Sequence, residues 1–202
     1  MGQSSRERRQ TQIEAAALAL LEEEGYSGAT MQAVARRAGA SMETLYNWYG
    51  DKLGLYRSLV ARNASEVKDV LDRCIQRNDD PLAVIGDVGP RLLALLTGEA
   101  AIALNRAAAS DTSGELGRAI ASAGRETIAP LIERVFVGAR ERRQLEFQDA
   151  REITEIYLGL LVADHQIRRV IGQLRPLTKA ACADRSRRAL ALLEKLYAPA
   201  RQ

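Results

Sequence analysis

His165, the single histidine of this 202-residue sequence, directly follows Asp164. That pair and Asp79-Asp80 are the nearest the chain comes to an acid–base or metal site. One imidazole excludes any site that needs two, and no carboxylate pair recurs at i, i+3 or i+4 on two helices. Cys74 and Cys182 lie far apart, with no CxxC pair and no Gly-rich phosphate loop. Asp164 and His165 therefore read as a satisfied polar pair, and the cysteines as small core residues with free thiols. An all-α enzyme using Asp164 and His165 is the alternative. The basic residues offer different chemistry. Arg6, Arg8 and Arg9 form a short arm that is either a solvated helix start or a clamp for phosphates. No catalytic residue, metal or cofactor is expected.

These groups sit on a chain with helical periodicity almost throughout and hardly any strand-like alternation. Ile13, Ala16, Ala17, Leu20 and Leu21 make one apolar stripe. Both Ser4-x-x-Glu7 and Thr11-x-x-Glu14 could box its start, and Gly25 could stop it. Thr30 can cap a short helix with Val34, Ala35 and Ala38 inside, and Ser41 can cap another, Met42–Tyr49. Between them Ala38-Gly39-Ala40-Ser41 is small enough for close crossing, the arrangement of a helix-turn-helix. Gly50-Asp51 breaks the pattern, and a long helix to about residue 77 follows. Further helices are expected after Pro81, over 92–109 and over 115–142, with Pro90 and Pro130 as kinks or breaks. Two strongly apolar helices end the chain, one over 153–174 and one capped by Thr178. The expectation is an all-α fold of about nine helices: an N-terminal three-helix helix-turn-helix domain, residues 1–50, and a larger helical domain, 51–202.

Composition agrees with a folded chain, with 47% hydrophobic and 27% charged residues. No apolar run approaches the roughly 18–20 residues of a membrane span, and Met1-Gly2 with Ser5 is a poor lipidation match. A cytoplasmic protein without a membrane partner is expected. The net charge is only +3, and residues 1–60 hold seven basic and seven acidic side chains. Any nucleic-acid contact must then come from local placement, not from a general positive field.

The stretch from Ile13 to Leu55 resembles the N-terminal domain of the tetracycline-repressor (TetR) family of transcriptional regulators. The resemblance is carried by Gly25-Tyr26, Thr30, Val34-Ala35, Ala38-Gly39-Ala40-Ser41, Thr44-Leu45-Tyr46, the aromatic pair Trp48-Tyr49, Lys52 and Leu55. Ala40 stands where the family usually has Val, and Glu43 where it often has Gly, Pro or a basic residue. The rest of the chain resembles the family only in architecture, and from about residue 115 it is faintly similar to the AefR-like branch.

The resemblance implies a homodimer on double-stranded DNA with a palindromic operator, and a repressor released by a small hydrophobic effector. An activator of the same fold is the alternative. Expected DNA contacts are Arg8, Arg9, Thr30, Ser41, Met42, Glu43, Thr44, Tyr46, Asn47, Trp48 and Lys52. Tyr46 and Lys52 are matched to phosphate, Asn47 can read adenine or stay solvated, and Glu43 either accepts from cytosine or points away. Kink-forming prolines and the alanines of 100–109 leave room for a ligand, with Asn105, Tyr157, Asp164 and His165 as its polar anchors. The apolar faces of the last two helices suit a four-helix dimer interface.

Overall fold

Side-chain caps and glycines set most of the helix boundaries. The computed structural model describes residues 5–200, and among them are eleven α-helices and no strand. The first, α1 (Ser5–Gly28), is interrupted by Gly25, whose φ of 69° turns the chain as the glycine implies. Thr30 accepts the Ala33 N–H at 3.1 Å and opens α2 (Met31–Ala38). Gly39, at φ 60°, closes that helix by donating its N–H to the Ala35 and Arg36 carbonyls. Ser41 accepts the Thr44 N–H at 3.1 Å and opens α3 (Met42–Tyr49). Asp51 does the same for Gly54 at 2.7 Å at the start of α4 (Lys52–Arg77).

Asp80 caps α5 (Pro81–Thr97), and α6 (Glu99–Ser110), α7 (Glu115–Ala123) and α8 (Arg125–Glu141) follow. Asp149 caps α9 (Ala150–Val162), α10 (His165–Val170) is a short piece, and Thr178 caps α11 (Lys179–Leu196). Of the two expected capping boxes, Ser4 lies outside the described residues. Thr11 sits inside α1 and donates its hydroxyl to the Glu7 carbonyl at 2.9 Å, so it starts nothing. No single helix among the described residues is long and apolar enough to cross a membrane.

Eleven helices replace the expected nine because the breaks fall elsewhere. Pro90 and Pro130 both lie inside helices, while the chain divides at Gly98 and Gly124. A proline removes one N–H from the ladder, and buried neighbours such as Val88, Leu92 and Leu93 hold the helix through that loss. The expected helix over 153–174 is also divided. Ala163 takes φ 43°, and the guanidinium of Arg185 donates Nε–H to the Leu161 carbonyl at 2.6 Å, closing α9.

Packing groups the described residues into two compact units. The first joins the described part of Met1–Arg62 to Ala100–Gly124. Its core holds Ile13, Ala17, Leu20, Val34, Leu45, Leu55, Tyr56 and Leu59, completed by Ala103, Leu104, Ala107 and Leu116. The second joins Asn63–Glu99 to the rest of the chain. Its core includes Leu71, Ile85, Leu93, Ile132, Phe136, Ile153, Tyr157, Cys182 and Leu193. Within that unit α10 caps the end of α5: Gln166 donates to the Leu96 carbonyl at 2.8 Å, and the buried Arg169 donates Nε–H to the Thr97 carbonyl at 3.0 Å. Arg169 also pairs with Glu99 at 2.9 Å.

Two glycines near the turn region should respond to alanine in an order that backbone conformation alone does not suggest. Gly39 has positive φ but open space where a Cβ would sit, so Gly39→Ala should cost about 1 kcal/mol. At Gly54, in ordinary helix, a Cβ would lie 1.9 Å from the Tyr49 carbonyl oxygen, and the backbone must move. Urea unfolding followed by circular dichroism should show Gly54→Ala as the more destabilised variant.

Candidate nucleic-acid interface

The residues of α3 divide cleanly by face. Leu45 is fully buried and Tyr49 nearly so. Glu43, Tyr46 and Asn47 are exposed, and Tyr46 shows 52% of its surface although it is a large aromatic. These exposed positions recur at i, i+3 and i+4, so one helix turn presents a carboxylate, a phenol and an amide side by side. An amide of this kind can donate to and accept from a base edge, and the phenol can reach a backbone phosphate. Ser41 caps the helix start by accepting the Thr44 N–H, and the two hydroxyls lie 2.8 Å apart. Met42 and Thr44 are half-buried, and Thr30 is exposed at the start of α2. Trp48 is half-buried: it meets Tyr49 edge-on at 6.4 Å, and the Arg6 guanidinium lies 5.3 Å from its ring centre.

The basic side chains are placed less freely than the sequence suggests. Arg8 is exposed on α1 and Arg36 on the last turn of α2. Arg9 instead turns back, donating Nη2–H to the Gly39 carbonyl at 2.7 Å and Nη1–H to the Ala38 carbonyl at 3.4 Å. Arg37 pairs with Glu23, one of its bonds measuring 2.8 Å, so the acidic run Glu22-Glu23-Glu24 has a use inside the unit. Lys52, matched to phosphate in sequence, donates its ammonium to the Tyr26 carbonyl and lies 3.9 Å from the Tyr26 ring centre. Burial pulls its pKa below the usual lysine value, and Asp111 partly opposes the shift.

Behind the exposed face lies a contact that spacing does not reveal. Glu14, only 5% exposed in its side chain, pairs with the Arg62 guanidinium at 2.7 Å and accepts from Gln10 at 3.0 Å. Burial raises the carboxyl pKa, while Arg62 and then Gln10 lower it. The adjacent Tyr49 hydroxyl is buried, and its pKa is pushed up to about 12 by burial, with the Glu14 charge adding to the effect.

The four expected ligand anchors do not form one site. Asn105 lies in the first compact unit, where its amide donates to the Ala101 carbonyl at 2.7 Å. Tyr157 is buried in the second unit against Phe136, and its hydroxyl converges with that of Ser186 on Gly89. Asp164 and His165 stand 3.6 Å apart at the break between α9 and α10. The imidazole pKa is lowered by burial and by Arg185, and Asp164 opposes this. A cleft of about 250 Å³ lies instead beside Cys74, Asp79, Val84, Arg134 and Glu141, and none of the four lines it.

Residues 13–59 match the family described as bacterial regulatory proteins, tetR family. Residues 83–199 match the C-terminal domain of AefR-like transcriptional repressors. Among solved structures, a TetR transcriptional regulator from Agrobacterium tumefaciens is 28% identical, with a TM-score of 0.71 over 94% of each chain. A TetR-family regulator from Mesorhizobium loti is 23% identical, with a TM-score of 0.74 over 97% of this chain and 100% of its own. A flavonoid-responsive regulator is 24% identical, with a TM-score of 0.68 over 96% of this chain and 100% of its own. No functionally curated protein matches the chain in sequence.

Removing one member of the Glu14–Arg62 pair should give a pH-dependent stability loss. Arg62→Met should cost about 2 kcal/mol at pH 7, below the full penalty for a buried pair because Arg62 is 36% exposed. The sign follows from the raised Glu14 pKa: the folded state holds that proton more readily than the unfolded chain. This contribution is present at low pH and lost as pH rises through the folded pKa. Arg62 holds that pKa down, so in Arg62→Met the Glu14 carboxyl takes up its proton at higher pH and recovers more stability as pH falls; the gap between Arg62→Met and the parent should narrow toward pH 5 in urea titrations.

Proposed function

The chain belongs to the TetR family of transcriptional regulators, and from that premise we propose that it is a dimeric repressor released from DNA by a small hydrophobic effector. Residues 1–50 read the DNA, and residues 51–202 bind the effector and form the dimer. The observation that carries the reading is the exposed turn of α3: Glu43, Tyr46 and Asn47 face outward from a helix whose other side, Leu45 and Tyr49, is buried. Such a helix can enter a major groove, with Asn47 at a base edge and Tyr46 at phosphate. Two copies require half-sites about one helical turn, or a multiple of it, apart. Arg8, Thr30, Ser41, Met42, Thr44 and Trp48 are the further contacts proposed, and Lys52 joins them only if it leaves the Tyr26 carbonyl.

Dimerisation is supported by apolar side chains that the folded subunit leaves outside. Leu192 and Leu196, one turn apart on α11, are 48% and 64% exposed, whereas Leu193 between them is buried in the subunit's own core. Effector control is supported by the similar fold of a regulator described as flavonoid-responsive. Release requires that the effector prefer the dimer shape that does not fit DNA. The small-molecule contacts are proposed in the second unit, with Tyr157, Asp164 and His165 as polar groups; Asn105, in the first unit, is not among them.

Sequencing the genomic fragments that the purified protein enriches should return one palindromic motif. On that motif, Tyr46→Phe should weaken binding by about 1–2 kcal/mol with unchanged thermal stability, and Asn47→Ala should relax the preference at one base position. Fragments of unrelated sequence would sink the proposal. Leu192→Glu combined with Leu196→Glu should sediment as a folded monomer and bind half-sites weakly, because neither side chain belongs to the subunit's own core.

A further inference from the structure

We infer that Arg9 is a positioning residue for the reading helix and not a phosphate clamp; the inference rests on the DNA-reading role of α3. Arg9 lies one turn before Ile13 on α1, at the end of the stripe formed by Ile13, Ala17 and Leu20. That register aims its side chain along the buried face, toward α2, and away from the outer surface that exposed Arg8 shares. Its guanidinium reaches the Gly39 carbonyl at 2.7 Å and the Ala38 carbonyl at 3.4 Å, across some thirty residues of sequence. Both carbonyls belong to the end of α2, where the helix has run out of its own N–H donors and carries partial negative charge. A planar guanidinium satisfies them with two donors at once, which an ammonium cannot do with the same geometry.

The two carbonyls stand immediately before Ala40 and Ser41, and Ser41 is the cap from which α3 starts. Gly39 is in the left-handed region, where the chain reverses between the two helices. Fixing the carbonyls of residues 38 and 39 therefore fixes the direction in which the chain enters α3. Arg37 bonds Glu23 from the same end of α2, so α2 is tied to α1 through two arginines on either side of this turn. With Gln12 Oε1 accepting a further bond at 3.4 Å, three of the five guanidinium N–H groups are engaged inside the fold.

The roles separate in measurements on the full-length dimer. In DNA-free protein, amide hydrogen exchange at Ala40 and Ser41 should quicken about tenfold in both Arg9→Ala and Arg9→Lys, as expected for loss of one charge-assisted hydrogen bond. On DNA, both variants should lose about tenfold in operator affinity while binding to random duplex is unchanged, so the specificity ratio falls. The slope of log affinity against log salt should stay that of the parent. A phosphate clamp predicts the reverse: Arg9→Lys keeps its affinity, while Arg9→Ala loses operator and random DNA together, with a slope shallower by about 0.9. A residue that only stabilises the fold would lower both affinities equally and leave their ratio and the slope alone. Either pattern overturns the inference, as do unchanged exchange rates. A parent protein that prefers no DNA sequence overturns the reading of α3 itself, a result visible before any variant is made.

Discussion

Two helices of eight residues present the centre of the candidate reading surface, and helices that short do not hold their shape in water unaided. Everything around them answers that constraint. Thr30 and Ser41 supply acceptors at the two N-termini, Gly39 closes α2, and Leu45 and Val34 disappear completely into a shared core. The core is completed by side chains far along the chain, Leu104 and Leu116 among them. Rigidity on the outer face of α3 is therefore borrowed from burial on its inner face. Glu43, Tyr46 and Asn47 can stay polar and exposed because Leu45 and Tyr49 anchor the same turns.

Charge is used locally in the same unit. Residues 1–60 carry no net charge and cannot attract DNA through a broad field, and several cations of the unit are already committed within the fold. Arg37 faces Glu23, Arg62 faces Glu14, and Lys52 faces the Tyr26 carbonyl. Selectivity would then depend on where a few groups point, which makes the geometry of the turn before α3 matter more than the number of positive side chains near it.

Local features were legible in the sequence and distant pairings were not. Thr30, Ser41 and Thr178 each precede a helix with the expected capping bond, because a cap involves neighbours in the chain. By contrast, Arg9 and Gly39 are 30 positions apart and Lys52 and Tyr26 are 26 apart, and nothing in residue type announces either pair. Both had looked like phosphate ligands because a basic side chain reads the same whether its partner is a backbone carbonyl or a nucleotide. The prolines left a kink or a break open, and the break does not occur at either of them. Pro90 and Pro130 are strong local signals against helix continuation, yet burial around them outweighs one missing N–H. The polar residues expected to meet in a ligand site were chosen by type alone, and Asn105 turned out to belong to a different compact unit from Tyr157.

The discontinuous make-up of the first unit has a consequence for synthesis. Its described N-terminal part ends at Arg62, but the apolar contacts from Ala100–Gly124 are made by a segment that a ribosome produces later. Until then Leu55, Tyr56 and Leu59 have no Leu104 or Leu116 to cover them. The part ending at Arg62 thus cannot finish folding when it is made, and the nascent chain carries an open apolar surface for the interval. At roughly 5–20 residues per second that interval lasts several seconds, long enough for a chaperone to engage it.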